Sequence, residues 1–315
     1  MSTIIETGSG SLEANGFHLN QMISLEVNRL LVDNANLRNT QFLRYAGSIN
    51  GMGSDTIRVR RYGLGGYNSF RAAAAEDTDV STVDNVTVAY SDVTVARQYL
   101  LRKISDLATM AGYGPDALNP MLLAADMAAS YETRFAELTC AMGKTFTTIK
   151  GSSSVDFTVD LFFESIFGLE TAASNKGADG PFAAVLHPKA LTDLQDSLRN
   201  ETSNAVSMMQ ATAEMLRIKG KGYMGNLFGT EVYRSSHVTE AGGAKENFFI
   251  PPNALCYADG VPVQMSGNPD IVNLGKVVVE LDRTATAAVT SIIGHAYIGF
   301  AKLEDDRGLV AKCST

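Results

Sequence analysis

Cysteine is scarce in this chain, and what there is forms no pattern. Cys140, Cys256 and Cys313 are the only three, widely spaced and with no CxxC pair. That argues against a disulfide framework or a zinc site and suits a reducing compartment. Histidine is nearly as rare: the four at 18, 187, 237 and 295 include no pair at i, i+4, and HExxH is absent. No basic and apolar leader opens the sequence, because Met1–Gly16 is polar and rich in glycine and serine. Long hydrophobic runs are missing too. The nearest, Thr284–Ala301, is uncharged across 18 residues but holds Thr, Ser, Gly and His295. It reads as a pair of buried strands, since a membrane span wants ~20 predominantly apolar residues. Positive charge is in deficit: 26 Lys and Arg against 34 Asp and Glu leave a net charge of −8. This argues against a sequence-independent grip on nucleic acid through a basic surface, though not against a protein that surrounds nucleic acid without gripping it.

Signatures of catalysis fail at nameable positions. Gly143-Lys144-Thr145 resembles the end of a phosphate-binding loop, but the first glycine of that loop belongs at 138, which is Leu138. The segment also closes a helix instead of opening one. Gly63-Leu64-Gly65-Gly66 resembles a dinucleotide fingerprint, yet its third glycine would fall at Asn68 and no helix follows. No GxSxG elbow is present, and Cys140 falls in mid-helix, away from an N-terminus that would lower its pKa. His187 before Pro188 is accounted for by a helix boundary, and Glu304-Asp305-Asp306 by a polar turn. The expectation is a chain with no catalytic residues, no cofactor and no metal.

What is present is an ordinary globular composition: 315 residues, 45% hydrophobic and 19% charged, enough for a sizeable core. Leu19, Met22, Ile23, Val27, Leu30 and Leu31 form an apolar stripe on a helix ending near Asp33, followed by a polar linker from Asn34 to about Asp55. Thr56–Tyr62, Val86–Tyr90 and Val93–Tyr99 alternate as strands do, around a polar tip, and predict a long hairpin. Two strands alone are marginal, so this hairpin must pack on its own domain or on another subunit. An uninterrupted helix is predicted from Pro120, with Asn119 as N-cap and Gly143 just past its end. Leu123, Met127, Tyr131, Phe135, Leu138 and Met142 share one face. At 1.5 Å per residue it is a rod of about 35 Å.

A mixed section follows. Val159, Phe162, Phe163, Ile166 and Leu169 predict an amphipathic helix, Phe182–Leu186 a buried strand, and Pro188 onward a helix carrying Leu191, Leu194 and Leu198. A further helix is expected over Val206–Leu216, with strands near Thr230–Ser235, Asn247–Ile250 and Val261–Met265. The tail from Lys276 to Cys313 is nearly all strand, with a last hairpin turning at Asp306-Arg307-Gly308.

This order of elements resembles the Hong Kong 97-type coat fold shared by tailed-phage capsid proteins and encapsulins. Val185-Leu186-His187-Pro188 leading into Lys189–Leu198 is similar to the strand and helix of that family's axial domain. Gly225–Ser235 is similar to its small-apolar-Gly-x-x-Val-x-x-Ser segment, and Ala296–Lys302 with Asp306–Val310 resembles its closing hairpin. The resemblance implies an α+β capsid fold divided as follows: an N-terminal arm with a short helix (1–55), an extended loop (56–101), a peripheral domain with a spine helix (102–157), an axial domain (158–272) and peripheral return strands (273–315).

The resemblance further implies a structural protein that assembles with itself into hexamers and pentamers of an icosahedral phage head. Arg60, Arg61, Tyr62, Tyr67, Phe70 and Arg71 in the extended loop would contact a neighbouring subunit. A portal protein, possible decoration proteins and enclosed double-stranded DNA complete the implied partners, and no membrane is involved. Some family members crosslink through a loop lysine; here the first lysine of the chain is Lys103, so a non-covalent shell is expected. Only about 18 residues precede the first helix, which implies a separate scaffolding protein. Two alternatives stay open: an encapsulin-like compartment, and a cytosolic α/β enzyme whose site is dispersed along the chain.

Overall fold

The computed structural model describes residues 23–27, 29–30, 42–64, 86–108, 110, 120–171, 181–200, 209–210, 216, 219, 222–261, 271–273 and 276–314. In chain order the first strands are β1 (Leu43–Ser48), β2 (Thr56–Leu64), β3 (Val86–Thr94), β4 (Ala96–Ser105) and β5 (Thr148–Gly151). Helix α1 (Pro120–Gly143) precedes β5, and α2 (Val159–Thr171) follows it. Next come β6 (Phe182–Leu186), α3 (Pro188–Asn200), β7 (Met209–Gln210), β8 (Tyr223–Leu227), β9 (Thr230–Arg234), β10 (Glu240–Ala241) and β11 (Ala244–Ile250). The chain closes with β12 (Leu255–Gly260), β13 (Ile271–Asn273), β14 (Val277–Thr284), β15 (Val289–Lys302) and β16 (Leu309–Ser314).

These strands form three sheets. One runs β1-β12-β15-β14-β13, with β4 on the free side of β15; a second runs β5-β16-β11-β6-β9-β8-β7, with β10 on β11; β2 and β3 pair alone. Helix α1 starts at Pro120 as expected, runs one residue further than expected, and lies against β15. Leu123, Met127, Tyr131 and Phe135 are buried in a core fed by both large sheets, among Tyr257, Ile292 and Ile298 on one side and Ala183, Val185, Tyr233 and Phe248 on the other. Gly143 is the last helical residue, and a Cβ there would stand 2.7 Å from the Phe248 ring.

The eight-stranded sheet is covered on both faces, which is why its central strands read as continuous apolar runs. In β6, Ala183 and Val185 enter the core under α1 while Phe182, Ala184 and Leu186 enter a second core with α2 and α3. His187 ends β6 and starts α3: its Nδ1 accepts the Lys189 N–H at 3.2 Å, and its own N–H donates to buried Asn247 Oδ1 at 2.7 Å. The helix-boundary role expected of His187 is thus an N-cap.

Several expectations are corrected. The stretch expected as a polar linker contains β1, which pairs in parallel with β12 and is anchored by Leu43, buried in the core under α1. The pair of strands expected over Thr284–Ala301 is one strand, β15, whose polar Ser291 and His295 are accommodated by cross-strand pairing. The closing hairpin does not exist as a pair: β15 belongs to the first sheet and β16 to the second, and the 3-10 turn Asp305–Arg307 carries the chain between layers. Consequently the tail does not return wholly to one layer, and β12, inside the 158–272 segment, sits in the sheet under α1. The helix expected over Val206–Leu216 holds a strand, β7, at Met209–Gln210, paired with β8. Asn119, the polar tip of the hairpin, and 262–265 of the expected Val261–Met265 strand lie outside the described residues.

Candidate assembly surface

The hairpin expected from alternation is β2–β3, in register from Thr56↔Thr94 to Leu64↔Val86. Its root is embedded. Ile57, Val59, Val93 and Val95 pack with Cys256, Ala258 and Ala301 of the first sheet and with Leu303 just past β15. Ser91 Oγ donates to the Leu303 carbonyl at 3.1 Å, and the Val95 N–H donates to the Asp55 carbonyl at 2.8 Å. The chain leaving the hairpin passes so near β15 that a Cβ on Gly299 would stand 2.2 Å from the Thr94 carbonyl oxygen. Past Val95 the backbone becomes β4 and pairs with β15, so residues 96–101, assigned to the hairpin from sequence, belong to the sheet.

The other face of the hairpin is open. Arg58 forms a two-point bridge to Asp92 at 2.9 and 3.0 Å and stands 5.3 Å from the centre of the Tyr90 ring. The guanidinium holds the Asp92 carboxyl below the usual carboxylate range. Fully solvated charges of this kind fix register more than they stabilise. Of the six expected contact residues, Arg60 is exposed opposite Tyr90, and Arg61 and Tyr62 are placed in β2. Tyr67, Phe70 and Arg71 lie outside the described residues.

Beside α1, a cleft of about 370 Å³ is lined by Gln98, Tyr99 and Leu100 of β4 and by Ser130, Arg134 and Glu137. Its charged groups satisfy one another: Arg134 reaches Glu137 at 2.9 Å and Gln98 at 2.8 Å. His295, also at the cleft, bridges three strands. Its Nδ1 accepts from Arg97 Nε at 3.3 Å, and its Nε2 lies 3.2 Å from Glu280. The sequence singled out His295 only as a polar interruption, since the partners come from β4 and β14. Among the described residues no three His, Cys, Asp or Glu side chains gather as a metal site. The thiols of Cys140 and Cys256 are pushed up to about 11 by burial, which keeps them protonated and unreactive at neutral pH.

His187 and His295 share a consequence. Each accepts an N–H at Nδ1 and must be neutral to do so. Burial, and then a neighbouring cation (Lys245 and Arg97 respectively), lowers both below the ordinary 6.5. The unfolded chain therefore binds these protons more readily. The stability they contribute is whole above about pH 6.5 and is lost as pH falls. We expect the melting temperature to drop by a few degrees from about pH 7.5 to about pH 5. The double variant His187→Asn/His295→Gln should lose much of that dependence, with Asn retaining the N-cap. An identical drop in the double variant would remove these histidines as the cause.

A second surface was not foreseen as one. Phe163 was expected on the buried side of α2, yet it is exposed and its ring centre lies 4.6 Å from that of Phe228. Phe228 and Gly229 are the two turn residues between β8 and β9, with φ of 50° and 78°. A non-glycine residue in this region costs about 1–2 kcal/mol, while an aromatic pair returns about 0.5–1.5 kcal/mol. The available signal was a bulky residue in a two-residue hairpin loop, where Asn is usual.

No protein-family model matches the chain, and no curated protein matches it either. Solved structures do. The capsid of Ralstonia phage GP4 is similar at a TM-score of 0.58 and 10% identity, over 88% of this chain and 88% of that one. Mycobacterium phage Che8 is similar at 0.54 and 14% identity, over 88% and 91%. The holo-SrpI encapsulin complex from Synechococcus elongatus PCC 7942 is similar at 0.53 and 12% identity, over 85% and 84%. At these identities the likeness establishes the fold.

Proposed function

We propose that this chain, which has the Hong Kong 97-type coat fold, is the major capsid protein of a tailed bacteriophage. It assembles into the hexamers and pentamers of an icosahedral head around double-stranded DNA, and it catalyses nothing. The observation that carries this reading is the likeness of fold to the Ralstonia phage capsid along 88% of each chain. The hairpin gives the likeness a physical sense. Its root is buried in its own subunit while Arg58, Arg60 and Tyr90 face outward, free to lie across a neighbour. Each such contact adds apolar burial at about 25 cal/mol per Å², multiplied around a closed shell. The eight-stranded sheet with α2 and α3 would surround capsomer centres, and the sheet under α1 would form the periphery. A separate scaffolding protein and a portal are the remaining partners, and the finished product resides in the virion. The net charge of −8 suits a wall that encloses DNA without gripping it.

Size-exclusion chromatography with negative-stain microscopy tests this: shells or capsomers are expected, from the chain alone or with its scaffold. A compact monomer or dimer under every condition would sink the proposal. Since the first lysine is Lys103, chains from purified particles should run as single subunits under denaturing conditions. A ladder of covalent oligomers, verified by mass spectrometry, would contradict the non-covalent shell. The encapsulin likeness supports a second reading, the same shell around an enzyme, which a cargo enzyme in the particles in place of DNA would favour.

A further inference from the structure

The strained turn at Phe228 points beyond the folded subunit. Phe163 and Phe167 sit one helical turn apart on α2, and with Phe228 they are 40%, 64% and 49% exposed. Phe228 holds its place at a φ of 50°, in a turn closed by the Gly229 N–H donating to Asn226 Oδ1 at 2.9 Å. Asparagine would take this backbone without strain. A ring kept half in water at a strained position is poorly explained by the stability of the subunit. Strain of this kind marks a functional contact.

We propose that Phe163, Phe167 and Phe228 form an adhesive patch that meets a different surface of the next copy of this chain in the shell. The inference rests on the shell reading above and deepens it by naming the contact. The choice of a second copy follows from area and charge. At ~200 Å² per ring, three half-exposed rings offer roughly 300 Å² of apolar surface. A single partner needs about 800 Å² per side, whereas a contact repeated around a closed ring is sustained by its neighbours. Asp160 and Glu170 are exposed on the same helix, while Glu164 is paired with Lys150 at 2.9 Å; the face stays net acidic, which disfavours nucleic acid as the occupant. The same acids would confront themselves across a two-fold axis. The contact is therefore head-to-tail, as a ring requires.

The test compares the unaltered chain with Phe228→Asn and Phe167→Ser, each followed by thermal unfolding and by the assembled fraction in microscopy and light scattering. Both variants should unfold within a few degrees of the unaltered subunit while the assembled fraction falls by about tenfold or more. Equal assembly of the variants and the unaltered chain would overturn the patch and leave the shell reading intact. Loss of the folded subunit in both would assign the rings to the fold and overturn the patch as well. If the unaltered chain never assembles, it is the shell reading that fails, and the patch falls with it.

Discussion

Gly299→Ala should unseat the extended hairpin. The new Cβ would lie 2.2 Å from the Thr94 carbonyl oxygen, 2.7 Å from its carbon and 3.0 Å from Val95 Cα. All three are backbone atoms, so no side chain can swing aside to relieve the clash. The segment is tied at both ends, by Val95 to Asp55 and by β4 to β15, so displacement must break one of these anchors. We expect a loss of about 3 kcal/mol, the upper part of the range for overpacked sites. Amide exchange should rise first in β2 and β3, and, on the proposal that the hairpin lies across a neighbouring subunit, assembly should fail with it. Unchanged melting and unchanged exchange in Gly299→Ala would refute the close approach. Gly299 has no unusual φ, so the sequence offers no sign of its role; the need for glycine arises only where two distant segments cross.

Phe135→Ala is the second large effect. Phe135 is 1% exposed, and its ring centre lies 5.4 Å from Tyr257, 4.9 Å from Phe300 and 6.4 Å from Tyr131. These partners belong to β12, β15 and α1, so the ring joins the helix to two strands of the sheet beneath it. Truncation leaves a cavity that neighbouring aromatic rings cannot collapse into, and about 3–5 kcal/mol should be lost. That is a large share of the ~5–15 kcal/mol that holds a typical domain together. Met121→Ala, on the exposed side of the same helix, should stay within about 0.5 kcal/mol and serves as the control. Chemical denaturation of both variants checks the contrast. A Phe135→Ala loss no greater than that of the control would mean that α1 is not packed as described.

The two residues illustrate how unevenly function could be read from the chain. Phe135 was placed on the inner face of α1 by spacing alone, because a helix buries one stripe whatever it packs on. The same local rules located β6, α2, α3 and the paired strands of the hairpin, and the family resemblance rested on their order. The aromatic patch was obscured for a local reason: Phe163 counts as apolar in any periodicity, and only the β8–β9 turn supplies its partner.

What the sequence by itself determined, then, is the helices α1, α2 and α3, the strand β6 and the hairpin strands, the absence of known catalytic motifs and the lack of lysine before Lys103. These depend on residue identity and short-range spacing. Only the tertiary structure decided which sheet each strand joins. β15 and β16 are neighbours in sequence yet lie in different layers, and β1, read as linker, completes a sheet with β12. Strand pairing is a choice among distant partners of similar alternation, settled by packing of whole faces rather than by any one segment. The hairpin's anchorage follows the same logic. Its alternation predicted two strands in need of a partner, and only the fold revealed that the root is buried at home, with Arg58, Arg60 and Tyr90 left facing outward.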